Sequence, residues 1–196
     1  MLRVVLMNGP RGVGKDEITK QYAALYPAQV LSIAKPMKME AIATVSYPGF
    51  TEPYDGDIEQ AYEHFEANKD TPMLALGGKT PRQLYIEHGN RRRVEAGANV
   101  FSDMWLRVAA GLIVTAKKPI TLIVPDCRFA PELHAAMTLA GGRNCLVVHV
   151  HRDGHTWQGD IGSYLDHDWT MMYENNLPKH LLGSCLAGLI RRWKPE

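Results

Sequence analysis

The chain has 196 residues, of which 45% are hydrophobic and 22% charged, with a formal net charge of +1. Those figures describe an ordinary globular protein able to bury a proper core, and the length favours one domain carrying insertions over two. So balanced a charge argues against the broad basic face of a DNA or RNA binder, and no stretch nears the apolar length a bilayer needs. A protein without a membrane partner, and without nucleic acid as a main partner, is expected.

The first predicted element is the apolar run Leu2 to Met7, a strand. It leads into Gly9-Pro10-Arg11-Gly12-Val13-Gly14-Lys15-Asp16 and then a helix-forming segment from Glu17 to Leu25. Strand, glycine-rich turn, lysine and helix at this spacing match the phosphate-binding P-loop. There the glycines let backbone N–H groups curl round a phosphate at a helix N-terminus, and the lysine neutralises β/γ charge. Pro10, Arg11, Gly12, Val13, Gly14, Lys15 and Asp16 are therefore candidate ATP contacts. Asp16 departs from the pattern, standing where a Ser or Thr normally meets magnesium; a carboxylate there still suits the metal, directly or through water. Arg11 and Lys15 interrupt any apolar region that could serve as a signal peptide, so none is expected.

Val30 to Ala34 reads as a short buried strand, which makes strand, helix, strand with a P-loop at the first turn: the start of a parallel, doubly wound α/β sheet. Lys35 and Lys38 follow at the carboxyl end of that strand, on a helix expected from Met37 to about Val45. Ligands gather at that edge of such sheets, so both are candidate phosphate contacts. Tyr47 to Gly78 is broken by Pro and Gly around a possible acidic helix, Ile58 to Ala67, and reads as an insertion beside the core. Thr80-Pro81 then caps a helix carrying Arg82, Leu84, Tyr85 and His88, with a stop expected near Gly89-Asn90. Arg91-Arg92-Arg93 follows, and a further helix from about Phe101 to Thr115 bears Asp103, Trp105 and Arg107. Arg82 and the triplet Arg91 to Arg93, from which Arg92 and Arg93 are taken as candidates, offer bidentate forks for phosphate, Arg82 ahead of any single member of the triplet. Trp105 and Tyr85 are candidate stacking partners for a base, although an aromatic on an amphipathic helix also serves as core.

Pro119 to Asp126 is the strongest strand signal, and an apolar run ending in aspartate resembles a Walker B strand, which places a carboxylate beside the P-loop magnesium. Arg128 lies two residues on. After a helix from Phe129 to Ala140, Cys145 to Val150 is another buried strand, with His149 and His151 at its end as structural histidines without acidic ligands at metal spacing. A polar loop from Arg152 to His167 reads as a flap over the nucleotide, Arg152 being its best-placed cation. A last strand at Met171 to Asn176 and a closing helix from Pro178 to Trp193 complete the chain. Cys127, Cys145 and Cys185 are widely spaced and odd in number. They fit neither a zinc site nor a disulfide framework, and read as small buried hydrophobes in a reducing cytoplasm.

These segments, in this order, resemble the deoxynucleoside monophosphate kinases of tailed bacteriophages, within the wider group of P-loop nucleoside monophosphate kinases. The resemblance is carried by Gly14-Lys15-Asp16, by Ala34-Lys35-Pro36-Met37-Lys38, and by Arg82-Gln83-Leu84 with Gly89 and Asp103-Met104-Trp105. Ile123 to Arg128 with Val147 to Arg152, and Asn175-Asn176-Leu177, complete it. Arg91 to Arg93, the acidic insert and the flap match loosely. The resemblance implies a three-layer α/β kinase fold on a parallel five-stranded sheet, with a core of 1–46 and 116–196, a helical monophosphate-side insertion of about 47–115 and a lid of about 152–168. It also implies ATP and Mg2+ as cofactors, small nucleotides as substrates, a cytoplasmic site (the host's, if viral), and leaves a homodimer open. In the implied roles, Lys15, Asp126, Arg128 and Arg152 are catalytic, Asp16 and Asp126 serve the metal, Arg152 also meets ATP, and Lys35, Lys38, Arg82, Arg92, Arg93, Trp105 and Arg128 meet the acceptor. Three other readings fit the same motifs: a kinase for another small phosphorylated acceptor, resembling phosphomevalonate kinase; a kinase for a modified base in nucleic acid; and a regulatory nucleotide-binding module. Several arginines beside an acceptor site argue against the last.

Overall fold

Strand β1, Leu2–Asn8, becomes fully buried from Val4 onward because parallel strands lie on both sides of it. A computed structural model describes residues 2–45, 57–160 and 162–194. Its five strands are β1, β2 (Gln29–Val30), β3 (Ile120–Val124), β4 (Cys145–His151) and β5 (Thr170–Glu174), paired in the order β2-β3-β1-β4-β5 and all parallel. The helices are α1 (Lys15–Leu25), α2 (Ala34–Thr44), α3 (Ile58–Ala67), α4 (Pro81–Ala96), α5 (Val100–Thr115), α6 (Ala130–Ala140) and α7 (Leu182–Arg192). The chain divides into two compact units, 1–33 with 102–196 and 34–101.

In the first unit the two-residue period of β1 serves two layers. Val5 and Met7 join Leu146 and Val148 of β4, their register partners, in a core closed by Ile18 and Tyr22 of α1 and by Leu182, Leu186, Leu189 and Ile190 of α7. Val4 and Leu6 point to the other face, in register with Leu122 and Val124 of β3 and with Cys145 and Val147 of β4; all six are buried. Each such side chain contributes about 1.5–3 kcal/mol by leaving water. Helix α7 lies so close on α1 that a Cβ at Gly183 would come within 2.6 Å of the Gln21 carbonyl carbon and oxygen. The result is the expected α/β fold with a five-stranded parallel sheet, and the chain leaves β1 and β4 toward opposite sides of it. A crevice at such a switch point is where ligands of these sheets bind.

The second unit packs α2, α3 and α4 round Ala41, Ile42, Ala61, Phe65 and Tyr85. Helix α2 begins at Ala34, not Met37, and groups with this unit instead of the sheet. Lys35 and Pro36 therefore lie in its first turn, where proline's missing N–H costs nothing. The acidic helix α3 has the expected bounds, its N-cap Asp57 accepting from the Glu59 and Gln60 N–H groups. The Pro/Gly-rich start of the insertion, 46–56, lies outside the described residues. Helix α4 has the expected Thr80 N-cap, which the structure completes as a capping box with Gln83, but it runs through Gly89 to Ala96 instead of stopping near Gly89-Asn90. Gly89 is buried beside Phe101 and Met37, and this packing outweighs the roughly 1 kcal/mol that a glycine costs inside a helix. The arginine triplet is accordingly helical.

Candidate functional site

The loop between β1 and α1 is shaped by its glycines. Gly12 and Gly14 have φ of 82° and 92°, a left-handed backbone that residues with a Cβ rarely adopt. Gly9 presses against β4, where a Cβ would meet the Val150 carbonyl oxygen at 2.6 Å, and at Gly14 it would collide with the Asn175 side-chain amide. Val13 is buried in the core and its carbonyl accepts a hydrogen bond from Asn175 Nδ2. The loop is thus fixed from below by β4 and from the side by the end of β5. Gly14 caps α1 and its carbonyl takes the Ile18 N–H at 3.0 Å, so the first-turn amides of α1 open toward the loop.

Lys15 folds back into this loop. Its Nζ donates to the Gly9 carbonyl at 2.6 Å and the Pro10 carbonyl at 2.8 Å. Burial, followed by the nearby Arg128 charge, lowers its pKa from 10.5 to about 8, against the opposing pull of Asp16 and Asp126. An ammonium so desolvated gains most from a multiply charged anion. Asp126 follows β3 and accepts from the Ser32 hydroxyl at 2.6 Å and the Ile33 N–H at 2.9 Å. Those bonds shorten β2 to Gln29–Val30, because Ser32 and Ile33 turn to the carboxylate instead of continuing the ladder expected to Ala34.

Arg128 stands at the start of α6, its backbone N–H and that of Phe129 bonded to the buried Glu132 carboxylate at 2.6 and 3.0 Å. Its guanidinium pairs with Asp160 and lies 5.8 Å from the centre of the Trp157 ring. Burial lowers its pKa, and the charges of Glu132 and Asp126 resist the shift. Arg152 reaches the Gly12 carbonyl at 3.5 Å, a marginal distance. Arg11 is exposed, and its backbone N–H donates to Asp160 at 3.2 Å. Arg128, Asp16 and Asp126 act electrostatically on Lys15, and Asp126 also on Arg128, at the carboxyl end of the central strands. Two carboxylates beside a lysine and an arginine form a donor set that suits a magnesium-bound triphosphate.

The remaining sequence candidates lie in the second unit, matched with carboxylates or rings. Lys35 pairs with Glu59 at 2.8 Å and Lys38 with Glu66 at 3.0 Å, and each ammonium also lies over the Tyr62 ring. Arg82 forks onto Asp70 at 2.6 and 3.0 Å, and that hydrogen bonding raises its pKa. Arg92 pairs with Glu40 at 2.8 Å, and Arg93 lies over Phe101 at 5.0 Å. Arg91 donates to His88 Nδ1 at 3.0 Å. Tyr85 is buried in this unit's core.

Trp105 is a correction. It belongs to the first unit, has no exposed surface, and donates its indole N–H to the Leu31 carbonyl at 3.2 Å, so it serves as core and offers a base no face. His149 and His151 are structural, bonded to the Leu165 carbonyl and the Tyr164 hydroxyl, each at 3.0 Å. Cys127 and Cys145 are buried and Cys185 half-buried, and burial pushes the Cys145 thiol up to about 12.

Four participants escaped the sequence reading: Asn8, Ser32, Glu132 and Asp160. Asn8 is completely buried at the end of β1, donating to the Cys127 and Ser163 carbonyls and accepting from the Leu165 N–H. A polar residue closing an apolar strand is the signal that marked it. Asp160 carried no such signal, lying in a loop without periodicity. A depression of about 320 Å³ lies at the opposite end of the sheet, lined by Leu2, Lys117 and Ile120 among others. It is at the amino ends of β1 and β3, away from the loop and its charges.

No family model matches the chain, and no curated protein matches it. Among solved structures it is similar to a sugar kinase from Janibacter sp. HTCC2649, in an unliganded state, at 12% identity and a TM-score of 0.49. The match covers 100% of this chain and 97% of that one. A likeness of that degree carries no argument about ligand or reaction. Among the described residues, no helix is long and apolar enough to cross a membrane.

Proposed function

We propose that the chain is a phosphotransferase that moves the γ-phosphoryl group of ATP to a deoxynucleoside monophosphate. The observation that carries this reading is Lys15: a half-buried ammonium, held on two carbonyls of a left-handed glycine loop at a helix N-terminus, with its pKa lowered to about 8. Phosphoryl transfer asks the protein for in-line positioning and cancellation of charge rather than covalent chemistry. Loop amides and Lys15 hold the ATP phosphates. Asp16 and Asp126 hold magnesium or its waters, which supplies charge neutralisation across the phosphates when bound. Arg128 meets the group in transfer, and Arg152 closes on it. The acceptor contacts proposed for Lys35, Lys38, Arg82, Arg92 and Arg93 rest on the sequence resemblance, and each of these cations then exchanges a partner within its own unit for the acceptor.

The test is to incubate the protein with ATP, magnesium and each deoxynucleoside monophosphate in turn, and to resolve ADP and the nucleoside diphosphate. Diphosphate from at least one of them is the expected result. Turnover confined to some other phosphorylated acceptor would replace the proposed substrate, and no transfer to any acceptor would contradict the proposed reaction.

A further inference from the structure

Beyond β4, residues 152–160 fold onto the glycine loop, all within the first unit. Arg152 lies against the Gly12 carbonyl, the His155 ring would touch a Cβ at Gly12, and Trp157 packs edge-on against Tyr164 at 5.4 Å while its face lies beside Arg128. Asn8 ties the far end down through Ser163 and Leu165. At the centre is Asp160, whose side chain is 12% exposed. One of its carboxylate oxygens pairs with the Arg128 guanidinium, and the other accepts the Arg11 backbone N–H at 3.2 Å. An arginine fork and a loop amide are also the donors that the proposed function assigns to phosphate oxygens. A carboxylate offers them what a phosphate edge offers, two acceptor oxygens and negative charge.

We infer that Asp160 is a built-in phosphate surrogate: its carboxylate occupies the anion-binding donors of the loop, and residues 152–160 act as a strap that an incoming triphosphate must displace. This rests on the reading of the glycine loop as a triphosphate site. The strap keeps the half-buried Arg128 guanidinium and the exposed loop amide paired in the absence of nucleotide, and so offsets the desolvation of the guanidinium. It does so by competing with the ligand. Removing its charge therefore tightens binding, the reverse of what a metal ligand or an ordinary substrate contact would do.

Calorimetric titration of tripolyphosphate and of ATP, both without magnesium, into wild type, Asp160→Asn and Lys15→Ala distinguishes these cases. Asp160→Asn is expected to bind both anions about tenfold more tightly than wild type, a ratio equivalent to about 1.4 kcal/mol, while Lys15→Ala loses binding. Equal or weaker binding by Asp160→Asn, with Lys15→Ala still inactive as a binder, overturns the strap and leaves the loop reading standing. Absence of binding by both wild type and Asp160→Asn overturns the loop reading, and the strap with it. Tryptophan emission supplies a second measurement on the unaltered protein. Saturating tripolyphosphate should change it as Trp157 leaves Arg128, and Trp157→Phe should abolish that change. Emission that stays constant while calorimetry shows saturation overturns displacement of the strap.

Discussion

The two units hold their positive charges in different ways. In the second, Lys35, Lys38, Arg82 and Arg92 each meet a carboxylate at 2.6 to 3.0 Å. Such pairs are balanced in the absence of any ligand, and at exposed positions each adds at most about 1 kcal/mol to stability. In the first, Lys15 is half-buried against backbone carbonyls and its pKa falls to about 8. A cation matched by a carboxylate is balanced within the fold, whereas a cation whose desolvation works against its own charge marks a candidate site for a ligand. Arg128 stands between these cases, partnered by an acid that comes from the loop covering the site.

Substitutions can break this contrast. The largest effect is expected at Lys15→Ala, which should lower turnover by about 10³-fold or more, on the scale seen when a charge-stabilising donor is removed. Its melting temperature should hold or rise, because a desolvated ammonium is lost with the side chain; thermal melts beside the kinase assay check both halves. Arg82→Ala should have a smaller effect, with the acceptor KM rising about tenfold, or about 1.4 kcal/mol, if its fork takes the acceptor phosphate. Because its partner Asp70 is exposed, the cost in stability should stay under about 1 kcal/mol. An unchanged KM would assign Arg82 to the Asp70 pair alone and remove it from the acceptor contacts.

Much of the fold was legible because β1, β3 and β4 are apolar runs buried on both faces, which leaves a signal independent of partners. The glycine loop was legible in part for a similar reason, since Gly12 and Gly14 hold a left-handed backbone that is local to the chain. Where reading failed, long-range contacts had decided the outcome. β2 ends early because Ser32 and Ile33 turn to Asp126, far along the chain. Gly89 does not stop α4 because it is packed among Met37 and Phe101. Trp105 looked available because a helix face does not announce what will cover it. Asp160 was invisible for the same reason, since its meaning lies in Arg11 and Arg128.

Lysine titration connects the geometry to solution behaviour. The folded pKa of Lys15, about 8, lies below its ordinary 10.5. Between those values the unfolded chain binds more protons, so this group's destabilising contribution is fully present below about 8 and fades as pH rises toward 10.5. Ligand binding should respond in the opposite sense, since the free protein loses its ammonium over the same range. The most direct measurement is therefore a calorimetric titration of ATP and magnesium into the wild-type protein at pH 7 and pH 9.5. One site is expected at pH 7, with affinity lower by roughly tenfold or more at pH 9.5, as the lysine neutralises. A protein that takes up no ATP at pH 7, or binds it equally well at both, would contradict the assignment of Lys15 as the cation that receives the triphosphate.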